Sequence, residues 1–306
     1  MTLPNFFIIG AAKSGTTSLY HYLKDHPQIF MPQMKEPEYF SFLGQKIDRK
    51  DIRMAPGIFA ISDAAEYEAL FKGANGKPAV GEASPSYIYV PEVAARIKER
   101  VPDAKFIAIL RDPAERAYSH FNMRKNKTNT HESITDFGEA LKAEDDRVRQ
   151  GWACGWHYKR RGFYYEQLKR YYDLFRKDRI LVLMYEDLIS NPADVLRRIY
   201  KFLSVDENYL PSFEVHNKGT YNAVVKNPLI HKFLAGDNWV KSLLKPFMKR
   251  DMRKRLKKSL IALNMEEGDE EGTLDPALRK QLVEEYREDI LKLQTLIGRD
   301  LSAWLT

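Results

Sequence analysis

One stretch constrains this chain more than any other: Phe6-Phe7-Ile8-Ile9-Gly10-Ala11-Ala12-Lys13-Ser14-Gly15-Thr16-Thr17-Ser18-Leu19. Its aromatic and β-branched opening reads as a buried strand, and Leu19, Tyr20, Tyr22 and Leu23 recur at helical spacing until Pro27 stops the pattern. A strand that turns through two glycines into a helix aims backbone N–H groups and the positive end of the helix dipole at one spot. An anion belongs there, and Ser14, Thr16, Thr17 and Ser18 add hydroxyl donors around it. The spacing approaches the triphosphate loop G-x-x-x-x-G-K-[ST], but Thr16 follows the second glycine and the lysine comes earlier, at Lys13. A lysine in the turn itself reaches a bridging or leaving oxygen on a shorter anion.

Along the chain, apolar strand patterns at 28–30, 79–87, 105–110 and 179–185 alternate with helical patterns at 63–71, 91–101, from 113 onward, 134–148, 162–175 and 193–203. This alternation predicts an α/β fold, a three-layer P-loop-like parallel sheet flanked by helices. A last helix begins at Asp275 with Pro276 in its first turn and stops at Gly298, which gives the fold a helical C-terminal extension. The two prolines of Met31-Pro-Gln-Met-Lys-Glu-Pro-Glu-Tyr-Phe40 keep that segment irregular and present Lys35 and Glu36 on a loop, where a surface ion pair is the plain reading.

Lys105-Phe-Ile-Ala-Ile-Leu110 is the clearest buried strand and ends at Arg111, with Ser119 eight residues later on the next helix. Donors converge again at a strand's carboxyl end, where open parallel sheets bind ligands. Gly151-Trp-Ala-Cys-Gly-Trp-His-Tyr158 is rich in aromatics and reads equally as a pocket wall or a packed corner.

The net charge of +7 is unevenly placed: residues 241–258 hold nine lysines and arginines against Asp251, and 9 − 1 = +8 covers the whole excess. That segment reads either as a solvated helix face or as a basic amphipathic helix for an acidic substrate, a membrane surface or a partner. No apolar run approaches the roughly 20 residues of a membrane span, and the few residues before the first strand leave no room for a signal sequence. The single cysteine, Cys154, excludes an internal disulfide and a cysteine-based metal cage. A cytoplasmic, reduced setting is expected, and oligomeric state is not legible.

Taken together the motifs resemble the sulfotransferase family that uses 3′-phosphoadenosine 5′-phosphosulfate (PAPS), in particular the branch of heparan sulfate N- and O-sulfotransferases and their bacterial relatives. The resemblance runs from Phe6 to about Tyr221 and returns in Ile297-Gly-Arg-Asp-Leu-Ser-Ala-Trp304. Its most specific parts are Lys13-Ser-Gly-Thr-Thr-Ser18, similar to the 5′-phosphosulfate loop, and Leu110-Arg-Asp-Pro-Ala-Glu-Arg-Ala-Tyr-Ser119, similar to the 3′-phosphate site. It implies that Ser14, Gly15, Thr16, Thr17 and Ser18 hold the 5′-phosphosulfate and that Arg111 and Ser119 grip the 3′-phosphate. Lys218-Gly219-Thr220 would close over the nucleotide. Lys35-Glu36-Pro37-Glu38-Tyr39-Phe40 resembles the segment that supplies the catalytic carboxylate, which makes Glu36 the general base and Lys13 the stabiliser of the leaving phosphate.

Lys35, Tyr87, Trp156 and Tyr164 are the expected acceptor contacts, although Ala83 stands where animal heparan enzymes usually have lysine, which points to a different acceptor. The resemblance implies one domain over 1–306, with 1–222 as the donor-binding α/β core and 223–306 mostly helical. It further implies PAPS as co-substrate, adenosine 3′,5′-bisphosphate as product and no required metal. The acceptor is a hydroxyl of a carbohydrate, lipid or secondary metabolite, with anionic and carrier-bound forms both open and no role for nucleic acid. Two rivals remain: a P-loop nucleotide kinase or NTPase with Asp112 or Asp187 on Mg²⁺, and a non-catalytic binder of acidic glycan or membrane through 241–258.

Overall fold

The computed structural model describes residues 3–45, 47, 60–125, 132–211, 223–225, 265–267 and 272–306, the two short segments by their backbone alone. Strand β1 (Phe6–Gly10) runs into α1 (Thr16–Asp25), followed by β2 (Ile29–Phe30), α2 (Tyr39–Phe42), α3 (Ala64–Ala69), β3 (Ala79–Ala83), α4 (Val93–Arg100) and β4 (Lys105–Leu110). Then come α5 (Pro113–Lys125), α6 (Phe137–Arg149), α7 (Tyr164–Leu174), β5 (Ile180–Met184), α8 (Tyr185–Ser190) and α9 (Pro192–Leu203). Strands β6 (Ala223–Val225) and β7 (Met265–Glu267) pair antiparallel, and α10 (Pro276–Ile297) is the last long helix.

The five-stranded sheet has the order β2-β3-β1-β4-β5 and every pairing in it is parallel. Alternate residues of a strand face opposite sides, so the apolar runs of β1 and β4 must bury both faces. They do: Phe7, Ile9, Phe106, Ala108 and Leu110 join one core, and Phe6, Ile8, Ile107 and Ile109 the other. The first core is closed by Val93 and Ile97 of α4, Ala117 of α5, Leu168 and Tyr171 of α7, and Leu282 and Tyr286 of α10. Leu19 and Leu23 of α1 with Leu196 and Ile199 of α9 close the second. The three-layer α/β architecture predicted from the alternation is the one the chain adopts.

The ends of α10 also follow the sequence. Asp275 accepts a hydrogen bond from the Leu278 N–H at 2.9 Å, and Gly298 terminates the helix at φ +67. Three features depart from expectation. Helix α2 begins inside the segment read as irregular, because the proline constraint lapses after Pro37. Helix α8 follows β5 at once and is parted from α9 only by Asn191, whose side chain accepts from the Asp194 N–H at 3.2 Å. Strands β6 and β7 lie in a part expected to be mostly helical. Lys218, Gly219, Thr220, Tyr221 and the basic segment 241–258 lie outside the described residues. Among the described residues no helix is long and apolar enough to cross a membrane.

Candidate functional site

Because the central strands are parallel, their carboxyl ends deliver four turns to one edge of the sheet: 11–15 after β1, 84–88 after β3, Arg111 after β4 and Tyr185 after β5. The crevice beside β1, where the chain passes from β3 on one side to β4 on the other, is the topological switch point where such sheets bind ligands.

The first turn is a candidate anion cradle. Gly15 caps α1 at φ +87, a conformation that disfavours a side chain, and a Cβ there would meet Leu188 at 2.9 Å and Tyr185 at 3.2 Å. No side chain caps α1 and its first turn holds no acid, so its N–H groups face the cradle without an internal competitor. Ser14 is buried with its hydroxyl unpartnered, and Lys13 sits in the turn at φ +72.

The second anion-binding candidate is built differently. The Arg111 guanidinium lies over the Tyr185 ring at 4.9 Å, reaches the Lys13 carbonyl at 3.5 Å and stands 3.8 Å from Glu115. Tyr164 donates to the Arg111 carbonyl at 3.0 Å, and Ser119 is buried on α5. Asp112 accepts from the N–H groups of Ala114 at 2.9 Å and Glu115 at 3.1 Å, so α5, unlike α1, has its N-terminus filled by its own carboxylate. An anion beside α5 therefore depends on side chains. Asp112 is in turn paired with Arg279 at 2.8 Å.

Beside the cradle lies the loop bearing Glu36. The expected Lys35–Glu36 ion pair is present, with Glu36 half exposed. Three amides of this loop are tied to the end of β3: the Glu36 N–H donates to the Ala83 carbonyl at 3.0 Å, Glu38 to Ser84 Oγ at 3.2 Å and Phe40 to the Tyr87 hydroxyl at 3.2 Å. Glu36 and Glu38 adopt φ +60 and +53, which turns the chain sharply around the anchor points. Burial pushes the Glu38 carboxyl up to about 6, with the Glu36 charge adding to the rise and a Ser41 hydrogen bond opposing it. Burial pushes the Glu82 carboxyl, on β3, up to about 8, with Glu38 adding and the hydroxyls of Tyr87, Tyr67 and Ser84 opposing.

Helix α5 sets Arg116, His120 and Arg124 one turn apart on a buried stripe. Burial, reinforced by the charges of Arg161, Arg124, Arg116 and Lys13, holds the His120 imidazole well below its usual range, so it is neutral.

Three of the expected acceptor contacts are buried: Tyr87 and Tyr164 are 0% exposed and Trp156 1%, and both tyrosine hydroxyls are engaged with backbone. Trp156 packs with the Arg147 and Arg124 guanidinium groups at 5.2 and 5.6 Å over its ring. Lys35 alone of the four keeps partial exposure, at 17% of its side chain. Tyr185, Glu82 and His120 also lie at or beside this edge and were given no role by the sequence. The spacing of Arg116, His120 and Arg124 was a legible signal, whereas nothing in the local sequence marks Tyr185. Among the described residues no group of three or more His, Cys, Asp or Glu is placed to hold a metal ion.

A family model described as "Sulfotransferase family" matches residues 4–208. The chain is 30% identical over 216 residues to the bifunctional heparan sulfate N-deacetylase/N-sulfotransferase 4 of Mus musculus, covering 68% of this chain and 23% of that protein. It is 37% identical over 132 residues to the membrane-associated sulfotransferase kil1 of Dictyostelium discoideum, covering 42% of this chain and 25% of the other. The chain thus spans about a quarter of the length of these curated relatives. Among solved structures, a sulfotransferase from Alicyclobacillus acidocaldarius superposes with a TM-score of 0.74 at 30% identity, covering 100% of both chains.

Proposed function

The chain belongs to the sulfotransferase family, and from that premise we propose that it moves a sulfuryl group from PAPS to an acceptor hydroxyl, with Glu36 as general base and Lys13 on the leaving phosphate. The observation that carries this reading is the pairing of an uncapped α1 N-terminus with a lysine in the turn before it. The donor supplies an activated sulfuryl group on its 5′-phosphate and a 3′-phosphate by which it is held.

The residues fit such a molecule. The unpartnered Ser14 hydroxyl and the uncapped N-terminus of α1 suit the 5′-phosphosulfate, together with Gly15, Thr16, Thr17 and Ser18. Arg111 and Ser119 suit the 3′-phosphate, and Lys218, Gly219 and Thr220, outside the described residues, would complete the enclosure. Lys13 neutralises charge that grows on the leaving oxygen in the transition state. Glu36 takes the acceptor proton at its carboxylate while Lys35 orients it. The acceptor is a hydroxyl of a carbohydrate, lipid or secondary metabolite, free or carrier-bound.

The kinase alternative loses its carboxylates: Asp112 is engaged by Arg279 and the α5 amides, and Asp187 by Arg299 at 2.8 Å.

The test is transfer of radiolabelled sulfate from PAPS to a panel comprising a uronic-acid polysaccharide, a neutral polysaccharide and a simple phenol. Glu36→Gln and Lys13→Ala are expected to lower turnover by about 10²- to 10⁴-fold, and Glu36→Gln to keep its affinity for adenosine 3′,5′-bisphosphate. Full turnover in Glu36→Gln, or turnover of Mg-ATP in place of PAPS, would overturn the assignment.

A further inference from the structure

The hydrogen bonds that shape the Glu36 loop lead back to one buried side chain. Resting on the reading of Glu36 as base, we infer that Glu82 is its positioning residue: the Glu82 carboxyl orders the hydroxyls of Ser84 and Tyr87, and these hold the amides of Glu38 and Phe40 in the loop that presents Glu36.

Proton accounting supports this coupling. The Tyr87 hydroxyl accepts from the Phe40 N–H and Ser84 Oγ accepts from the Glu38 N–H, so the single proton on each hydroxyl must point elsewhere. Glu82 is the carboxyl those hydroxyls face, and the Tyr67 hydroxyl of α3 faces it too. Glu82 itself is 0% exposed beneath an aromatic layer that includes Phe7, Phe40, Tyr67 and Tyr87, and neither of its oxygens closes a hydrogen bond of ordinary geometry. A carboxyl in such a place costs stability that an apolar residue of the same size would not. What it faces is the set of hydroxyls that anchor the base loop.

The electrostatics give the arrangement a direction. Glu82 is faced by Glu38 from the start of α2, by Tyr67 from α3, and by Ser84 and Tyr87 from the turn after β3; the cation facing Glu38 is Arg161. In the acid form, which burial favours up to about pH 8, Glu82 adds no charge to this compartment. Once ionised it sets a second negative charge near Glu38 in a buried compartment, and opening of the 36–41 loop relieves the repulsion.

Hydrogen–deuterium exchange of a peptide covering 36–41, in the full chain, tests the inference. Wild type and Glu82→Gln, whose side chain keeps a carbonyl acceptor and carries no charge at any pH, should protect these amides alike near pH 7. Between about pH 7 and about pH 9 wild type should lose protection roughly tenfold beyond the intrinsic rate change, and Glu82→Gln should not. Glu82→Ala should show the loss already near pH 7, with a lower kcat and an unchanged KM for PAPS. If Glu82→Ala fails to fold, the comparison of wild type with Glu82→Gln across pH decides. Protection that is the same in wild type and Glu82→Gln at every pH would overturn the positioning role. Exchange that rises as expected in Glu82→Ala while turnover stays at the wild-type level would leave the positioning of the loop standing and remove Glu36 as the base.

Discussion

Gly15 shows how much a single residue decides at this site. Its φ of +87 turns the chain into α1, and its missing side chain leaves room for Leu188 and Tyr185, the same tyrosine that stacks on Arg111. A methyl at this position meets both a disfavoured backbone region and a close contact. Gly15→Ala should therefore cost about 1–3 kcal/mol of stability, read as a lower urea midpoint, and should weaken adenosine 3′,5′-bisphosphate binding more than Ser119→Ala does. The conformations of Gly15 and Lys13 and the position of Arg111 follow from local patterns, a glycine at a strand-to-helix turn and a cation at a strand end, whereas Glu36 reads locally only as half of a surface ion pair and owes its expected role to the family resemblance. Tyr87, Tyr164 and Trp156 were legible only as aromatics. Which way an aromatic faces depends on neighbours far along the chain: Phe40 is 47 positions from Tyr87, and Arg111 is 53 from Tyr164.

At the scale of elements, α10 fastens the side of the candidate site that carries Arg111 and α5. Arg279 reaches Asp112 at 2.8 Å, Glu115 at 3.3 Å and the Thr306 carbonyl at 3.1 Å, so the last helix, the N-terminus of α5 and the chain's end share one guanidinium. Two turns further along, Tyr286 donates to the Lys159 carbonyl at 2.8 Å, and after another turn Asp289 accepts from the Tyr165 N–H. Arg279→Met keeps the apolar stem and removes the charge that Asp112 faces. It should destabilise the fold by about 1–3 kcal/mol, because a charged hydrogen bond to a largely buried carboxylate is lost. Chemical unfolding measures that loss, and the double variant Arg279→Met, Asp112→Asn should recover part of it. The boundaries of α10 were readable from Asp275, Pro276 and Gly298, whereas its role as a clamp on α5 rests on a contact spanning 167 positions.

For the whole molecule, buried ionisable groups set the pH range of the fold. Glu82 is raised from the usual 4.5 to about 8, so it binds its proton more tightly folded than unfolded. Its contribution to stability is fully present below pH 4.5, fades as pH rises toward about 8 and is absent above. Burial of His157 acts in the opposite sense, lowering it from 6.5 to about 4, so its contribution is present above 6.5 and is lost as pH falls toward 4. Urea unfolding of wild type and Glu82→Gln over this range should show wild type losing stability relative to the variant between pH 4.5 and about 8, with no further divergence above. A constant difference between the two across that window would mean that Glu82 ionises as readily folded as unfolded.

By itself the sequence determined the layered α/β fold, the cradle after β1 and the cation after β4, since periodicity, glycine geometry and helix termini are properties of short segments. Even there it missed α2, a single turn just past Pro37, and α8, which Asn191 alone parts from α9. Tertiary structure alone decided which carboxylates are consumed in ion pairs, which aromatics are buried, and that Glu82, buried on β3, faces the hydroxyls that hold the loop of Glu36. These are consequences of burial, which exists only once distant segments have excluded water from between them.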